Sequence, residues 1–271
     1  MASSSPALKA AGTTFSLLKT LLPVPLRGAH APSALSSIRS ALTIQSLLAA
    51  NLHLGHSPQS WNPNMNQYIY GERNGIHIIN LDHTLTALKR AVAVTKEMAI
   101  EGGHILFVGS RSALHSVVVQ AAIEGNAYYV HHWKGGLITN KERVLRRSVG
   151  FDPDKVVQES RVLLTATDSE AGLLNSAKGG AKTQPYVHSP DLIILLDTPN
   201  NAWAIHEANF AGIPVIAVCD TDCDPAKVQY PIPANDDSLL GLKLIAGVLS
   251  RAAKEGSERR DILQAELKKT G

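Results

Sequence analysis

Little in this chain points to thiol chemistry, membrane spanning or nucleotide binding. Only two of its 271 residues are cysteine. A zinc site needs about four ligands, so Cys219 and Cys223 do not make one without a second pair, and no metal is expected. Cys219 closes an apolar run and is expected as a buried thiol. No stretch of 18 apolar residues occurs, so nothing reads as a membrane-spanning helix. Both Gly-x-Gly-x-x-Gly and Gly-x-x-x-x-Gly-Lys-[Ser/Thr] are missing, and with them the glycines that let a backbone approach a pyrophosphate. The largest absence is electrostatic. Residues 1–71 hold no aspartate or glutamate, while Lys9, Lys19, Arg27 and Arg39 sit among Ser, Ala and Leu.

An acid-free, basic start of this kind is the composition of a mitochondrial transit peptide. The apolar run from Phe15 to Leu26 is broken by Lys19, Pro23 and Pro25, which disfavours a secretory core segment. Residues 1–45 are therefore expected to be a leader, cut between Arg27 and Ser46, and the protein is expected in the mitochondrial matrix. Without those four cations, 22 basic residues face 23 acidic ones, a formal charge of −1. The whole-chain charge of +3 thus belongs to the leader, and a uniformly basic nucleic-acid surface is excluded. Charge in the body is segregated instead. Lys134, Lys141, Arg143, Arg146 and Arg147 gather against Glu142 alone, while Asp220, Asp222, Asp224, Asp236 and Asp237 form the opposite pole. Such a distribution suits contact with RNA on one face.

With 44% hydrophobic residues, the rest of the chain has enough apolar surface for one domain plus extensions. Gly75 to Leu81 alternates and is β-branched, which predicts a strand, and Asp82 is placed to cap a helix bearing Leu85, Leu88, Val92 and Ala99 on one face. Glu101-Gly102-Gly103 ends that helix. His104 to Gly109 is a continuous apolar run, the pattern of a strand buried on both faces of a parallel sheet. A helix over Arg111–Gly125 and a strand over Ala127–Val130 follow. The rhythm resumes with a strand over Asp191–Leu196, a helix over Asn201–Ala211 and a strand over Ile213–Cys219. Asn235 is placed to cap a last long helix, with Asp236 and Asp237 in its first turn. These elements predict a doubly wound, mostly parallel α/β sandwich of three layers, Rossmann-like or flavodoxin-like. Asn175 to Lys182 reads as a flexible linker, and Ser257 to Lys269 as an amphipathic tail helix with Ile262, Leu263 and Leu267 as its apolar members.

The segment from Asn51 to Thr84 carries the densest recognition chemistry. Arg73 can fork onto a phosphate, Asn62, Asn64, Asn66 and Asn74 both donate and accept, and His53, His56 and His77 donate from rings that also stack. Trp61, Tyr68 and Tyr70 offer faces for an unpaired base. No nucleophile and base stand together, so no catalytic residue is expected. Structural readings compete for several positions: Trp61 can fill the edge of the core, and His77 can face inward from its strand.

The order of these residues resembles one family. Leu52-His53-Leu54-Gly55-His56, Trp61-Asn62-Pro63 and Tyr70 to Ile79 are similar to the opening signature of ribosomal protein S2, the second protein of the small ribosomal subunit. Pro190 to Asp197, Asn201, Ile205, Glu207 and Gly212-Ile213-Pro214-Val215 resemble the same family's second signature. Asp220 to Pro225 and Tyr230 to Asp237 continue it. The likeness runs from about Leu47 to Gly256, and two long signatures in order are more specific than any short motif. It implies one α/β domain over 46–256, no reaction, no cofactor and no small-molecule substrate. It also implies partnership with small-subunit ribosomal RNA and neighbouring ribosomal proteins, here in the mitochondrial ribosome. The family's helical hairpin falls within 137–188, where no sustained heptads occur, so it is expected to be shortened or absent. RNA-facing roles are then expected for His53, His56, Trp61, Asn62, Arg73, Asn74, Lys134, Lys141, Arg143, Arg146 and Arg147. Two rivals stand beside this reading. A nucleotide-binding α/β enzyme of the matrix would use the strand-to-helix turn at Gly109-Ser110-Arg111-Ser112, where free N–H groups favour a phosphate. A protein-binding scaffold would touch no RNA.

Overall fold

A computed structural model of the chain describes residues 42–141, 144 and 189–270. Residues 1–41 of the expected leader, the linker at 175–182, the expected loss of the hairpin, and Arg143, Arg146 and Arg147 lie outside the described residues, whereas Leu42–Gln45, assigned to that leader, belong to the folded domain. A short helix, α1 (Ile44–Ala49), leads through a loop to an antiparallel hairpin of β1 (Ile69–Arg73) and β2 (Ile76–Ile79). Asn74 and Gly75 make its turn with φ of 53° and 73°, the two positive values that suit the right-handed twist of a hairpin. A bulge between Ile69 and Gly71 interrupts the register of β1. That break hides the strand from a period-two reading.

Five further strands form an all-parallel sheet: β3 (Ile105–Val108), β4 (Tyr128–Val130), β5 (Leu192–Leu195), β6 (Val215–Cys219) and β7 (Tyr230–Pro233). Their spatial order is β4-β3-β5-β6-β7. Numbered within the sheet this is 2-1-3-4-5, the flavodoxin-like doubly wound order, with its switch point between β3 and β5. Pleating divides the strand residues between two cores. Ile105, Phe107, Leu192, Ile194, Ile216, Val218 and Ile232 face α2 (Leu81–Glu101), α3 (His115–Gly125) and α5 (Leu239–Thr270). Leu106, Val108, Ile193, Leu195, Val215, Ala217 and Cys219 face α4 (Ala202–Ala211) and the loop through Trp133, Leu137 and Ile138. The expected three-layer sandwich is what forms.

Several local expectations change. β7 escapes sequence reading because Pro231 and Pro233 break the strand pattern. Among the described residues it lies at the sheet edge and pairs only with β6, where alternate prolines need donate nothing. Asn80, not Asp82, caps α2, accepting from Asp82 N at 3.0 Å; Asp82 sits in the first turn. Asn235 does not cap the last helix. Ser238 does, accepting from Gly241 N at 3.2 Å, while Asp236 and Asp237 precede the helix. The tail over 257–269 is no separate helix but the continuation of α5, which runs unbroken for 32 residues. The helix expected from Arg111 opens as a 3-10 turn at Ser112–Leu114 before α3 begins.

α2 and α5 approach closely because the contact positions are small. A Cβ at Gly256 would meet Lys96 O and Ala99 Cβ at 2.5 Å each, and Lys96 Nζ bonds Glu255 Oε2 at 3.2 Å beside it. Neither a carbonyl nor a Cβ can swing away. Gly256→Ala is therefore expected to lose about 1–3 kcal/mol through overpacking, against a helix-propensity gain of at most about 1. Urea unfolding checks this, and an unmoved midpoint would show that the two helices separate without cost.

Candidate nucleic-acid interface

The loop between α1 and β1 is bound to a distant stretch of chain. Gly55 N and His77 N bond the carbonyls of His77 and His56 at 2.9 and 3.0 Å, and Ile79 N bonds His53 O at 2.8 Å, so residues 53–56 run alongside β2. Beyond them, His56 N donates to Thr221 Oγ1 at 2.9 Å, and Asn62 N donates to Thr221 O at 2.7 Å. Asn64 Nδ2 reaches Asp224 Oδ1 at 2.9 Å. Asn235 N and Nδ2 bond the carbonyls of Leu52 and Asn51 at 3.1 and 3.0 Å. Gly55 is glycine because a Cβ there would stand 2.6 Å from Thr221 Cγ2. The two sequence signatures, far apart in the chain, thus meet as one structural unit.

Each expected site residue has a definite place. His56 Nδ1 lies 3.2 Å from Oδ2 of the buried Asp220, and Nε2 lies 3.6 Å from Asp237 Oδ2. The first contact is close but not well aligned for a hydrogen bond, so charge attraction contributes more to it than hydrogen bonding does. Burial opposes charge on His56, yet the carboxylates of Asp220, Asp222 and Asp236 outweigh it and raise the pKa above the ordinary imidazole value. Burial, then repulsion from Asp220, pushes Asp236 up to about 6. Asn62 spends its side chain capping the 3-10 turn Pro63–Tyr68, accepting from Asn64 N at 2.9 Å. Trp61 is half-buried with its ring centroid 5.3 Å from that of His77. His53 is half-buried, and among the described residues its Nδ1 and both ring nitrogens of His77 find no hydrogen-bond partner. Arg73 and Asn74 are exposed at the hairpin tip, with Tyr70 80% exposed on the bulge. Lys134 and Lys141 are half-buried on the loop after β4, and Lys141 Nζ bonds Ser189 Oγ at 3.1 Å.

That loop is held by a residue whose role the sequence did not reveal. Glu207 on α4 is buried, and its carboxylate accepts from Trp133 Nε1 (3.2 Å), Gly136 N (2.7 Å), Ile138 N (3.0 Å) and Thr139 N (3.3 Å). Burial raises its pKa, but these donors outweigh that and lower it below the usual glutamate value.

The turn favoured by the enzyme rival is also occupied from within. Asp197, buried at the end of β5, accepts from Ser110 N at 3.0 Å and Arg111 N at 3.1 Å. Asn201 Nδ2 adds a third bond at 2.6 Å, and Ser110 Oγ donates to Asn201 Oδ1 at 2.6 Å. An internal carboxylate stands where a phosphate would have to bind. Gly109 serves packing rather than a ligand, since a Cβ there would lie 2.7 Å from Val118 Cγ2. Cys219 is buried as expected and desolvation pushes its thiol up to about 12.

The description "Ribosomal protein S2" belongs to a family model that matches residues 47–256. Over 228 residues the chain is 38% identical to the small ribosomal subunit protein uS2 of Bartonella henselae, a span covering 80% of this chain and 87% of that protein. The corresponding protein of Sinorhizobium medicae is 36% identical over 228 residues, 80% of this chain and 88% of its own. That of Paramagnetospirillum magneticum is 35% identical over 238 residues, 84% and 86%.

Glu207→Gln keeps the shape of the side chain but removes its charge and exchanges one acceptor for a donor facing backbone N–H groups. It is expected to cost about 2 kcal/mol. Because the folded pKa is depressed, the native glutamate contributes stability that is present above its unfolded pKa of about 4.3 and is lost as pH falls through the lower folded value. Thermal unfolding from pH 7 down to 3 should show the variant's deficit shrinking below that point. A deficit constant with pH would remove the charge from the explanation.

Proposed function

Because the chain belongs to the ribosomal protein S2 family, we propose that it is a structural constituent of the small ribosomal subunit of mitochondria, binding small-subunit ribosomal RNA and neighbouring ribosomal proteins. It is not an enzyme, and the filled anion position at Asp197 gives a physical reason. The observation that carries the RNA reading is the β1–β2 hairpin. Its base is fixed by the bonds to residues 53–56, and its tip offers Arg73 for a phosphate, Asn74 for a base edge or sugar, and the face of Tyr70 for stacking. His56 and Asn62 serve this surface by bracing it. His53, Trp61 and His77 form its half-buried edge, with the Trp61 and His77 rings packed together as support for the hairpin. Lys134 and Lys141, with Arg143, Arg146 and Arg147 on the continuing chain, supply a second phosphate contact.

The mitochondrial part rests on the acid-free basic start. Leu42 is only 8% exposed and belongs to the first core, and Thr43 caps α1 by accepting from Ser46 N. A leader would therefore be cut upstream of Leu42, within the window from Arg27 to Ser46. N-terminal sequencing of the mature protein should begin at or before Leu42. A later start would take a residue out of the core and contradict this boundary.

Gradient fractionation of a mitochondrial lysate separates the main readings. A ribosomal part travels with the small subunit, whereas a soluble enzyme or free scaffold stays near the top. Arg73→Ala should leave the unfolding midpoint unchanged, while the slope of log affinity for small-subunit RNA against log salt falls by about 1. An unaltered slope would take Arg73 out of the RNA contact.

A further inference from the structure

Helix α4 turns Ala204, Ile205, Glu207 and Ala208 inward. That leaves Trp203, His206 and Phe210, spaced i, i+3 and i+7, as one stripe along its outer side. Trp203 is 71% exposed and Phe210 is 80% exposed, and the Trp203 ring stands edge-on to His206 with centroids 6.2 Å apart. Asn209 beside them is bonded to Lys227 O and to Gln229. The helix contains no Lys, Arg or Asp, and Glu207, its one acid, is buried under the loop after β4. The helix's own outer side is therefore aromatic and presents no carboxylate or fixed cation.

We propose that this stripe is the docking surface for a neighbouring protein of the small subunit, one presenting an uncharged apolar cleft that takes a helix by anchors at i, i+3 and i+7. The inference rests on the small-subunit reading. Two observations choose this occupant. RNA binding requires cations against phosphates; this helix has no Lys or Arg, and Lys227 beside Asn209 is paired with Asp224 Oδ2 at 3.7 Å. Two rings exposed to this degree offer on the order of 300 Å² of surface, well below the roughly 800 Å² per partner of a self-standing interface. A second copy of the chain would not be held by that alone. A neighbour whose position is already fixed by the assembly needs only such a central anchor, with Trp and Phe as its buried core.

The test uses the full-length chain with photoreactive p-benzoylphenylalanine in place of Phe210, assembled in cells, followed by irradiation of purified small subunits. The expected product is a crosslink to an apolar segment of one ribosomal protein. The double variant Trp203→Ala, Phe210→Ala should keep its unfolding midpoint but lower occupancy of that same protein, after a salt wash, by at least about tenfold. Crosslinks to RNA, to a second copy or to residues 145–188 of the same chain would overturn the proposal, as would no crosslink in particles that contain the chain. A chain absent from the particles would overturn the small-subunit reading itself. Should the double variant unfold, the crosslink alone decides, because the photoreactive residue retains the phenyl ring.

Discussion

The structure depends on how the polar groups at the carboxyl edge of its parallel sheet are satisfied. In a doubly wound sheet the turns leaving that edge expose backbone N–H groups, and ligand anions commonly bind there. Here the chain supplies its own anions. Asp197 takes the N–H groups of Ser110 and Arg111, Asp220 takes those of Thr221 and Asp236, and Glu207 takes those of Gly136, Ile138 and Thr139. Buried N–H groups left unpaired would each cost a sizeable part of a domain's net stability. An architecture suited to cofactors thus becomes a closed scaffold, and its outer surfaces are left for binding.

Closure also explains the division of labour in the opening loop. Imidazole and amide groups such as those of His56 and Asn62 look like recognition groups in a sequence, but their nearest partners are Asp220, Asp237 and the loop's own backbone. They hold the hairpin in place. The groups left facing outward, Arg73, Asn74 and Tyr70, lie on a two-residue turn and a bulge, where the backbone geometry itself presents them. A rigid frame carrying few exposed contacts loses little conformational entropy on binding.

Sequence legibility tracked how local each cause was. β3, β5 and β6 were visible because strands buried on both faces read as unbroken apolar runs. β7 was not, since Pro231 and Pro233 suit only a sheet edge, and edge position is a tertiary fact. The start of α5 lies beyond Asn235 because that residue, a good cap by type, accepts from Asp237 N in a turn ahead of the helix while its Nδ2 donates to the carbonyl of Asn51, leaving the cap to Ser238. Glu207 and Asp197 were present in the recognised pattern, but nothing local indicates that a carboxylate will collect N–H groups from a loop about 70 or 90 residues upstream. The Lys134 to Arg147 cluster is legible only as charge, because its three arginines lie outside the described residues.

The bonds from His56 and Asn62 to Thr221 also bear on when the binding surface exists. His56 and Thr221 are separated by 165 positions, so the pairing is among the most non-local in the fold, and such contacts close late because the loop entropy between them must be overcome first. A chain made from its N-terminus displays residues 51–80 long before residues 220–238 exist to fasten them. Until then residues 53–56 and β2 are not tied to the sheet through Thr221, and His56 has no carboxylate of Asp220 beside it. The hairpin surface proposed to meet RNA is therefore a property of the completed polypeptide, and a truncated chain would carry its residues without the geometry that positions them.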